Sequence, residues 1–412
     1  MKPSRALLTL LACQTVMVTG LAISFPFLAL YLHETRGLPM SQVGVIFAGT
    51  LALSALAQAA GGELSDLRGP KYVMCAALAL RGLFAAAIAW SIGNARPIHE
   101  LIALVAASSF FGNFFEPGAR SWIAHRMPAA DRLAAYGWQR VAVNAGWAVG
   151  PAVGGALAER SYPMLFAATA AFCLLCLALT AAFVEPARSP RAAESFSPAA
   201  MLAGFRDRRL AEHCLYSMLI AAVMGQLVVS FSVHCFEFVG LSKGQVGLLF
   251  TVNGLVVIAC QTWAAERMRA HRLSRVIAFG CLFYAAGYAA VGFAGGFFAM
   301  AAAVIVVTAG EIIVSPGLPA LAMNLAPEAQ RGRYIGLQGL CYQAGTALAP
   351  LLGGLALERL SPRWSSAPWL LVSAAALAAC AGFLHLGRLL KAGEDGLHGP
   401  LPPAALEPPI GA

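Results

Sequence analysis

Charged side chains are scarce in this 412-residue chain, where Asp, Glu, Lys and Arg together make up only 11% of the residues. A soluble globular domain carries about 25% charged residues. Hydrophobic residues account for 59% of the chain, so too few charges remain to cover a water-facing surface. Most of the molecular surface must therefore face lipid.

The chain also lacks the alternation of apolar and polar residues that is typical of membrane β-barrel strands. Its apolar residues fall in blocks of roughly 20, the length that a helix needs to cross about 30 Å of hydrocarbon. A lipid-exposed backbone must satisfy its own hydrogen bonds, so the pattern predicts an all-α membrane protein with twelve transmembrane helices. The expected spans are 6–32, 42–62, 72–93, 101–124, 137–158, 162–184, 211–236, 245–264, 275–293, 296–323, 334–357 and 366–390.

Catalytic motifs are missing as well. The sequence holds no H-E-x-x-H, no G-x-S-x-G and no nucleotide-binding loop, so we predict that the protein is not an enzyme. The ten cysteines are scattered within apolar blocks, and the C-x-x-C at Cys173 and Cys176 is typical of packing inside a span. We therefore expect no disulfide framework, no metal site and no cofactor.

Basic residues are unevenly distributed between the two sides of the membrane. A net charge of +9 would favour a nucleic-acid partner in a soluble protein, but here the basic residues lie in gaps between spans, and we expect no nucleic-acid partner. By the positive-inside rule both termini are cytoplasmic, in a multi-pass protein of the inner membrane whose first span is retained. The gaps on the side of the termini hold Lys2, Arg5, Arg68, Lys71, Arg126, Arg132, Arg188, Arg191, Arg206, Arg208, Arg209, Arg267, Arg269, Arg272, Arg275, Arg331, Arg333, Arg388 and Lys391, and the opposite gaps only Arg36, Arg96, Arg160, Lys243, Arg359 and Arg363.

A long polar gap after the sixth span divides the chain. It contains Pro186, Pro190 and Pro198 together with several charges, which is typical of a linker. The tail is rich in proline, a composition that favours disorder. We expect an N-terminal six-helix half at 1–185, a cytoplasmic linker at 186–210, a C-terminal six-helix half at 211–391 and a disordered tail at 392–412.

The two halves resemble each other in sequence. Residues 117–160 align with 316–359 without a gap, and Gln42-Val43-Gly44 matches Gln245-Val246-Gly247. The matched residues include Pro, Gly, Gln and Arg, which a shared apolar composition does not align by chance. A parallel six-plus-six repeat places a substrate site between the halves near mid-membrane. Aligned pairs include Pro117 with Pro316, Arg132 with Arg331, Gln139 with Gln338, Gly146 with Gly345, Pro151 with Pro350, and Glu159 with Glu358.

The segment after the second span, G-E-L-S-D-L-R-G-P-K at 62–71, resembles the loop 2–3 signature of the major facilitator superfamily, Gly-x-Leu-x-Asp-Arg-x-Gly-Arg-Lys. Glycines permit a tight turn, and the aspartate can complement a helix N-terminus. Leu67 and Pro70 depart from the signature at positions that favour Arg. The alternative is an ordinary charged turn. The resemblance implies a gating loop that contains Gly62, Asp66, Arg68, Gly69 and Lys71.

The fifth span resembles the Gly-x-x-x-Gly-Pro-x-x-Gly-Gly signature of drug:proton antiporters. Glycines at this spacing let helices approach closely, and proline permits a kink. An equivalent segment in the eleventh span, 345–354, indicates that this glycine pattern serves helix packing in part. The alternative to an antiporter signature is therefore a general helix-packing pattern. The helix-packing motif consists of Gly146, Gly150, Pro151, Gly154 and Gly155.

These resemblances cover essentially the whole chain. The Glu116-Pro117 element and the segment Phe205-Arg206-Asp207-Arg208-Arg209 most resemble the proton-coupled multidrug-efflux branch of that superfamily. They imply a monomer whose partners are the bilayer, protons and a small-molecule substrate, which it exports by alternating access. The expected substrates are small amphipathic or cationic compounds. The alternatives are a carrier for one metabolite, such as a sugar, amino acid or lysolipid, and a receptor that does not transport.

A charged side chain at mid-bilayer costs about 2.5–3.5 kcal/mol on insertion scales, so a charged residue inside a span is a candidate functional residue. Four such residues form the candidate proton and substrate pathway. The resemblance implies that the first, fourth, seventh and tenth helices line the cavity. Glu116 is then expected to exchange a proton in each cycle, unless it forms a structural ion pair with Arg140. Glu311 is either a second proton or substrate site or a packed carboxyl. For Arg81, a structural carboxylate or carbonyl partner is favoured over a role in the pathway. Arg140 is expected either to pair with Glu116 or to hold an anionic group of the substrate.

Overall fold

Twelve helices are long and apolar enough to cross a membrane in the computed structural model, which describes residues 4–127, 129–187, 203–268, 271–327 and 330–396. Those residues contain no strand, so the predicted all-α class and the number of spans are confirmed. The helices are α1 Arg5–Leu30 (continued by a π-helical turn, Tyr31–Thr35), α2 Met40–Arg68, α3 Pro70–Gly93, α4a Ile98–Gly112, α4b Phe115–Arg126, α5 Ala129–Arg160, α6 Tyr162–Phe183, α7a Arg208–Met224, α7b Val229–Glu237, α8 Lys243–Met268, α9 Leu273–Phe293, α10 Phe297–Leu325, α11 Arg331–Leu360 and α12 Ala367–Leu389.

The helices form two six-helix halves that meet mainly along two helix pairs, with a smaller contact between α1 and α7b. Within each half, large side chains are fully buried, such as Trp122 among α1–α6 and Trp369 among α7–α12. Across the boundary, α5 packs against α8 and α11 packs against α2. These two contacts are related by the sequence repeat. The halves therefore join in a pseudo-symmetric way, which leaves a space between them around α1, α4, α7 and α10.

The fourth and seventh spans are each interrupted, although the apolar pattern predicts continuous helices. Pro117 has no N–H, so the helix loses the bond to the carbonyl of Asn113, and α4a ends at Gly112. The Asn113 side chain then donates hydrogen bonds to Ser54 Oγ at 2.9 Å and to the Ser109 carbonyl at 2.6 Å. In the seventh span a 3₁₀ turn, Gly225–Leu227, separates α7a from α7b. Discontinuous helices of this kind line substrate sites in many transporters.

The predicted turn at 62–71 is much shorter in the structure, because α2 continues to Arg68. Gly69 makes the reversal by itself, with φ of 91°, and Pro70 begins α3. A proline suits the first position of a helix, whose N–H has no intrahelical partner. The proline that departs from the family signature therefore serves as a helix start.

The start of the C-terminal tail differs from the predicted disorder. The first residues of the expected disordered tail, 392–396, fold back against the C-terminal half, where Asp395 is fully buried. Its carboxylate accepts hydrogen bonds from the Ser274 amide and hydroxyl, both at 2.7 Å, so disorder does not begin at 392. Residues 397–412 of the tail and 188–202 of the expected linker lie outside the described residues.

Candidate functional site

A cavity of about 670 Å³ lies between the two halves. Its walls come from α1, α2, α3, α4a, α4b, α5, α7a, α10 and α11, and it extends toward the side of the termini. Polar and charged side chains are concentrated on these walls although the surrounding helices are apolar. The charged residues that line it are Arg81, Glu116, Arg120, Arg140 and Glu311. The structure thus brings all four predicted pathway residues to one cavity.

Glu116 lies in the first turn of α4b and is held by three partners. Its carboxylate accepts hydrogen bonds from Gln14 Nε2 at 2.8 Å and Gln139 Nε2 at 3.2 Å. It also pairs with Arg120, whose Nε lies 3.1 Å away. Four-residue spacing on a helix brings such side chains together. The predicted structural pair with Arg140 is therefore wrong, since Arg120, one turn along the same helix, is the ionic partner.

Glu311 lies on α10 in the opposite wall and has fewer partners. Asn253 on α8 donates one hydrogen bond to its carboxylate at 3.1 Å and another to Thr308 Oγ1 at 2.9 Å. Glu311 makes no ion pair with any residue that the structure describes. It also lines a second, adjoining pocket of about 380 Å³ on the C-terminal side. The two carboxylates of the cavity therefore belong to different halves and have different environments.

Arg140 connects the two halves. Its guanidinium donates a hydrogen bond to the hydroxyl of Ser315 on α10. Ser315 occupies the position that the repeat aligns with Glu116. Arg140 also lines both of the pockets that Glu311 lines. It is thus a cross-half residue of the cavity wall.

Arg81 differs from its expectation, because its side chain faces the cavity and finds no carboxylate or carbonyl. Within the described part of the chain its one hydrogen bond goes to Met17 Sδ at 3.7 Å. The guanidinium packs against Gly112 so closely that a Cβ at that position would overlap it. The predicted carboxylate or carbonyl partner is therefore not found among the described residues, and the guanidinium lies instead in the space beside Gly112.

The side away from the termini is closed by bonds between the halves. Glu159 at the end of α5 accepts a hydrogen bond from the Gly244 amide at the start of α8, at 2.8 Å. Glu358 at the end of α11 accepts one from the Ser41 amide at the start of α2, also at 2.8 Å. Both amides lie in the first turn of a helix, where N–H groups have no intrahelical partner.

Two ion pairs reinforce this closed end. Lys243 Nζ lies 2.9 Å from a Glu34 carboxylate oxygen, and His33 Nε2 lies 2.9 Å from Glu237. Each pair joins the end of the first span to a residue of the other half. Sequence analysis placed Lys243 in a gap between spans and did not predict either pair, since no spacing rule connects residues that are two hundred positions apart.

The glycines of the fifth span make close contacts on two sides of α5. A Cβ at Gly146 would lie 2.7 Å from Val18 Cβ, and one at Gly150 would lie 2.6 Å from Ala22 Cβ, so this side packs against α1. A Cβ at Gly155 would overlap the Lys243 carbonyl on α8. The motif therefore both builds the N-terminal half and holds α5 against the other half.

In the loop region, Lys71 Nζ donates a hydrogen bond to the Ala181 carbonyl at the end of α6, at 2.7 Å. Arg68 is exposed, and nothing lies within 4 Å of a Cβ built at Gly62. The side chain of Asp66 lies outside the described residues. Lys71 therefore fixes the start of α3 to α6.

Comparison with known proteins agrees with this architecture. The family model described as Major Facilitator Superfamily matches residues 10–350 and 214–407. The chain is 24% identical over 366 residues to the uncharacterized MFS-type transporter YdeE of Escherichia coli K12, covering 87% of this chain and 90% of that protein. It is 23% identical over 348 residues to the quinolone resistance protein NorA of Staphylococcus aureus Mu50, covering 81% and 85%.

Solved structures share the fold at low sequence identity. The nucleoside transporter NupG superposes with a TM-score of 0.78 at 14% identity, over 93% of this chain and 99% of that one. A bacterial homologue of the lysosomal transporter Spinster, solved inward-facing and unoccupied, superposes with a TM-score of 0.73 at 13% identity, over 94% and 98%. Since the family model covers most of the chain and the two halves have the helices and repeat that it requires, the chain belongs to the major facilitator superfamily and is a transporter, not an enzyme.

Proposed function

We propose that this protein is a proton-coupled exporter of small amphipathic or cationic compounds that works by alternating access. The observation that carries the proposal is the 670 Å³ cavity, which holds carboxylates from both halves and is closed on the side away from the termini. The relative named as a quinolone resistance protein supports an exported amphipathic substrate.

In this conformation the cavity is open toward the side of the termini. Arg and Lys are concentrated on the side of the termini, which supports a cytoplasmic location for that side in the inner membrane. A substrate then enters the cavity from the cytoplasm. Rocking of the two halves breaks the bonds of Glu159 and Glu358 and exposes the cavity on the other side. The protein acts as a monomer, because one chain encloses the whole cavity.

The coupling proton binds to a cavity carboxylate. Protonation of Glu116 would remove the charge that pairs with Arg120 and weaken the hydrogen bonds from the two glutamines, which would loosen the contacts among α1, α4b and α5. Protonation of Glu311 would break no ion pair among the described residues. We assign the coupling step to Glu116, because its protonation changes contacts between helices, and a second proton or substrate role to Glu311.

The segment 62–71 gates the conformational change. Its single-residue turn at Gly69 and the anchoring of Lys71 to α6 fix α2 relative to the rest of the N-terminal half. The helix α2 also contacts α11 across the boundary between halves. A change at this turn is therefore transmitted directly to the interface, without contact with the substrate. Asp66 has the gating role that the family signature implies.

The proposal is tested with purified protein in liposomes that carry an imposed pH gradient. A panel of radiolabelled or fluorescent compounds should include lipophilic cations, sugars, amino acids and lysolipids. We expect gradient-dependent movement of several unrelated amphipathic compounds, abolished by a protonophore. Movement of one sugar, amino acid or lysolipid alone would support the single-metabolite carrier instead. Movement that is unaffected by the gradient would refute proton coupling.

A further inference from the structure

The strongest unexplained feature of the cavity is the side chain of Arg81, which is buried to 5% exposure and has no anionic partner. A guanidinium stays protonated in proteins and offers five N–H donors. Within the described residues it uses one of them, on the sulfur of Met17, and a thioether is a weak acceptor. A buried charge normally has a counter-charge and full hydrogen bonding.

The guanidinium lies against Gly112, the last residue of α4a, in space that a Cβ at that position would occupy. It also borders the main cavity and a side pocket of about 210 Å³. The unused donors of Arg81 are therefore available to a molecule that enters the cavity.

Two amides complete the surroundings of this side pocket. Gln58 on α2 and Gln343 on α11 both line it and the main cavity. Neither makes a hydrogen bond to another residue in the described part of the chain. The pocket thus combines one guanidinium with two uncommitted amides, contributed by both halves, and Trp147 supplies an aromatic wall.

The charges of the cavity do not balance without a ligand. Arg120 is paired with Glu116, which leaves two further arginines, Arg81 and Arg140, and one further carboxylate, Glu311, on the cavity walls. One positive charge is therefore unmatched, and Arg81 is the arginine that donates no hydrogen bond to an oxygen atom of the described residues. A substrate that is only cationic would leave this charge uncompensated, whereas a carboxylate on the substrate would neutralise it.

We propose that Arg81, with Gln58 and Gln343, binds a carboxylate of the transported compound. The inference rests on the proposed function in taking this cavity as the transport path, and it narrows the substrate class to amphipathic carboxylates and zwitterions. A planar guanidinium can hold a carboxylate with two parallel hydrogen bonds. The amine of a zwitterion then lies toward the carboxylates of the main cavity, and the apolar body contacts Trp147.

The test uses two dyes that share one aromatic ring system: rhodamine B, which carries a free carboxylate, and its ethyl ester, which is only cationic. Binding of each is measured by fluorescence anisotropy with the full-length protein in detergent, so that no gradient is needed. We expect the native protein to bind rhodamine B more tightly than the ester. In Arg81→Gln the affinity for rhodamine B should fall by at least about tenfold, the factor that 1.4 kcal/mol represents, and the affinity for the ester should stay within about threefold.

Two further variants make the result specific. Arg81→Lys keeps the charge without the planar fork, so it should retain an intermediate preference for rhodamine B. It also provides the comparison if Arg81→Gln does not fold. Arg363→Gln removes an exposed arginine outside the cavity and should leave both affinities unchanged.

The possible outcomes separate this inference from the proposed function. A native protein that does not favour rhodamine B over the ester, whether it binds both equally or neither, overturns the carboxylate site. Equal losses for both dyes in a folded Arg81→Gln protein, or no loss for either, also overturn it. Discrimination between the dyes that depends on Arg81 supports the site even if neither dye moves along a pH gradient in liposomes, in which case proton-coupled export of these compounds is the proposal that fails.

Discussion

Glu159 accepts a hydrogen bond from the backbone amide of Gly244 across the boundary between the two halves, at 2.8 Å. The sequence repeat aligns Glu159 with Glu358 and places Ser41 opposite Gly244. Glu358 and Ser41 make the same bond, at the same distance. In both places a carboxylate at the end of one helix caps the first turn of a helix in the other half. Both caps lie on the side away from the termini. Opening of that side would separate the residues that make these bonds.

The first prediction concerns this pair of caps. Glu159→Gln and Glu358→Gln should each shift the conformational equilibrium toward the state open on the side away from the termini. A carboxylate near an exposed helix N-terminus contributes about 0.3–1 kcal/mol, so we expect each change to shift the equilibrium by about two- to fivefold. The double variant should shift it by roughly the product, because the two sites share no residue.

The measurement is the distance between spin labels at Asn94 and Arg363, in exposed loops of different halves on that side. A non-canonical amino acid should carry the labels, since ten native cysteines would react with thiol reagents. Glu100→Gln is the matched control, because Glu100 pairs with Arg96 in its own half. An unchanged distance distribution in the double variant would contradict a role for the caps in closure.

The second prediction separates the two sides of the glycine motif. Gly155→Ala places a Cβ against the backbone of Lys243 in the other half, whereas Gly150→Ala places one against Ala22 in the same half. Such overpacking costs about 1–3 kcal/mol. We expect Gly155→Ala to open the closed side with little change in thermal stability, and Gly150→Ala to lower the melting temperature of the protein.

The control for both is Gly137→Ala, since nothing lies within 4 Å of a Cβ at that position. Melting temperature in detergent and the spin-label distance described above are measured for all three. If Gly150→Ala and Gly155→Ala had the same effect on both quantities, the division of the motif into an internal face and an interface face would be wrong.

The third prediction is topological. Reporter fusions after Arg96 and after Arg363 should lie in the periplasm, and fusions after Arg208 and at Ala412 in the cytoplasm, because basic residues are concentrated in the gaps of the second group. The readouts are alkaline phosphatase and green fluorescent protein, which are active on opposite sides of the membrane. A periplasmic result at Arg208 would contradict the arrangement of two halves with a cytoplasmic connection.

The sequence was sufficient to predict the twelve spans, because their apolar blocks are local patterns, and the repeat, because its Pro, Gly, Gln and Arg matches recur at a nearly constant offset. Four of the five charged residues that line the cavity were among its candidates, whereas Arg120 and the glutamines of the cavity were not. The break before Pro117 also had a local signal, since a proline removes one helical hydrogen bond. The Glu116–Arg120 pair also had a local signal, because side chains four residues apart on a helix are neighbours. Arg140, the partner considered from the sequence, lies on a different helix. These two features were predictable and were missed.

Other features depend on contacts between distant segments and had no local signal. The position of Arg81 depends on how α3 is rotated and on the space left by Gly112 on α4a. The 3₁₀ turn at Gly225–Leu227 is accompanied by a hydrogen bond from Gln226 Nε2 to the Ala349 carbonyl on α11, at 2.8 Å. The cap of Glu358 on Ser41 joins residues at opposite ends of the chain. Such features require the tertiary structure.

The last prediction concerns Glu116, to which the coupling step is assigned. If this carboxylate carries the proton, Glu116→Gln should reduce accumulation driven by a pH gradient to the level of protein-free liposomes. The same variant should keep substrate binding and counterflow, because neither process requires net proton movement. Binding of a cationic substrate by the native protein should weaken as the medium is acidified, since proton and cation compete for one negative charge. This pH dependence should be absent in Glu116→Gln.

A purely structural role for Glu116 gives a different result. The ion pair with Arg120 at 3.1 Å is the contact that such a role would require. Glu116→Gln would then be poorly folded, and a second change, Arg120→Gln, would partly restore it. Glu311→Gln is the matched variant in the other half, with a single amide partner in Asn253. Gradient-driven transport at a near-native rate by a well-folded Glu116→Gln protein would remove Glu116 from the coupling step. Loss of that transport in Glu311→Gln alone would then assign the proton to the C-terminal half.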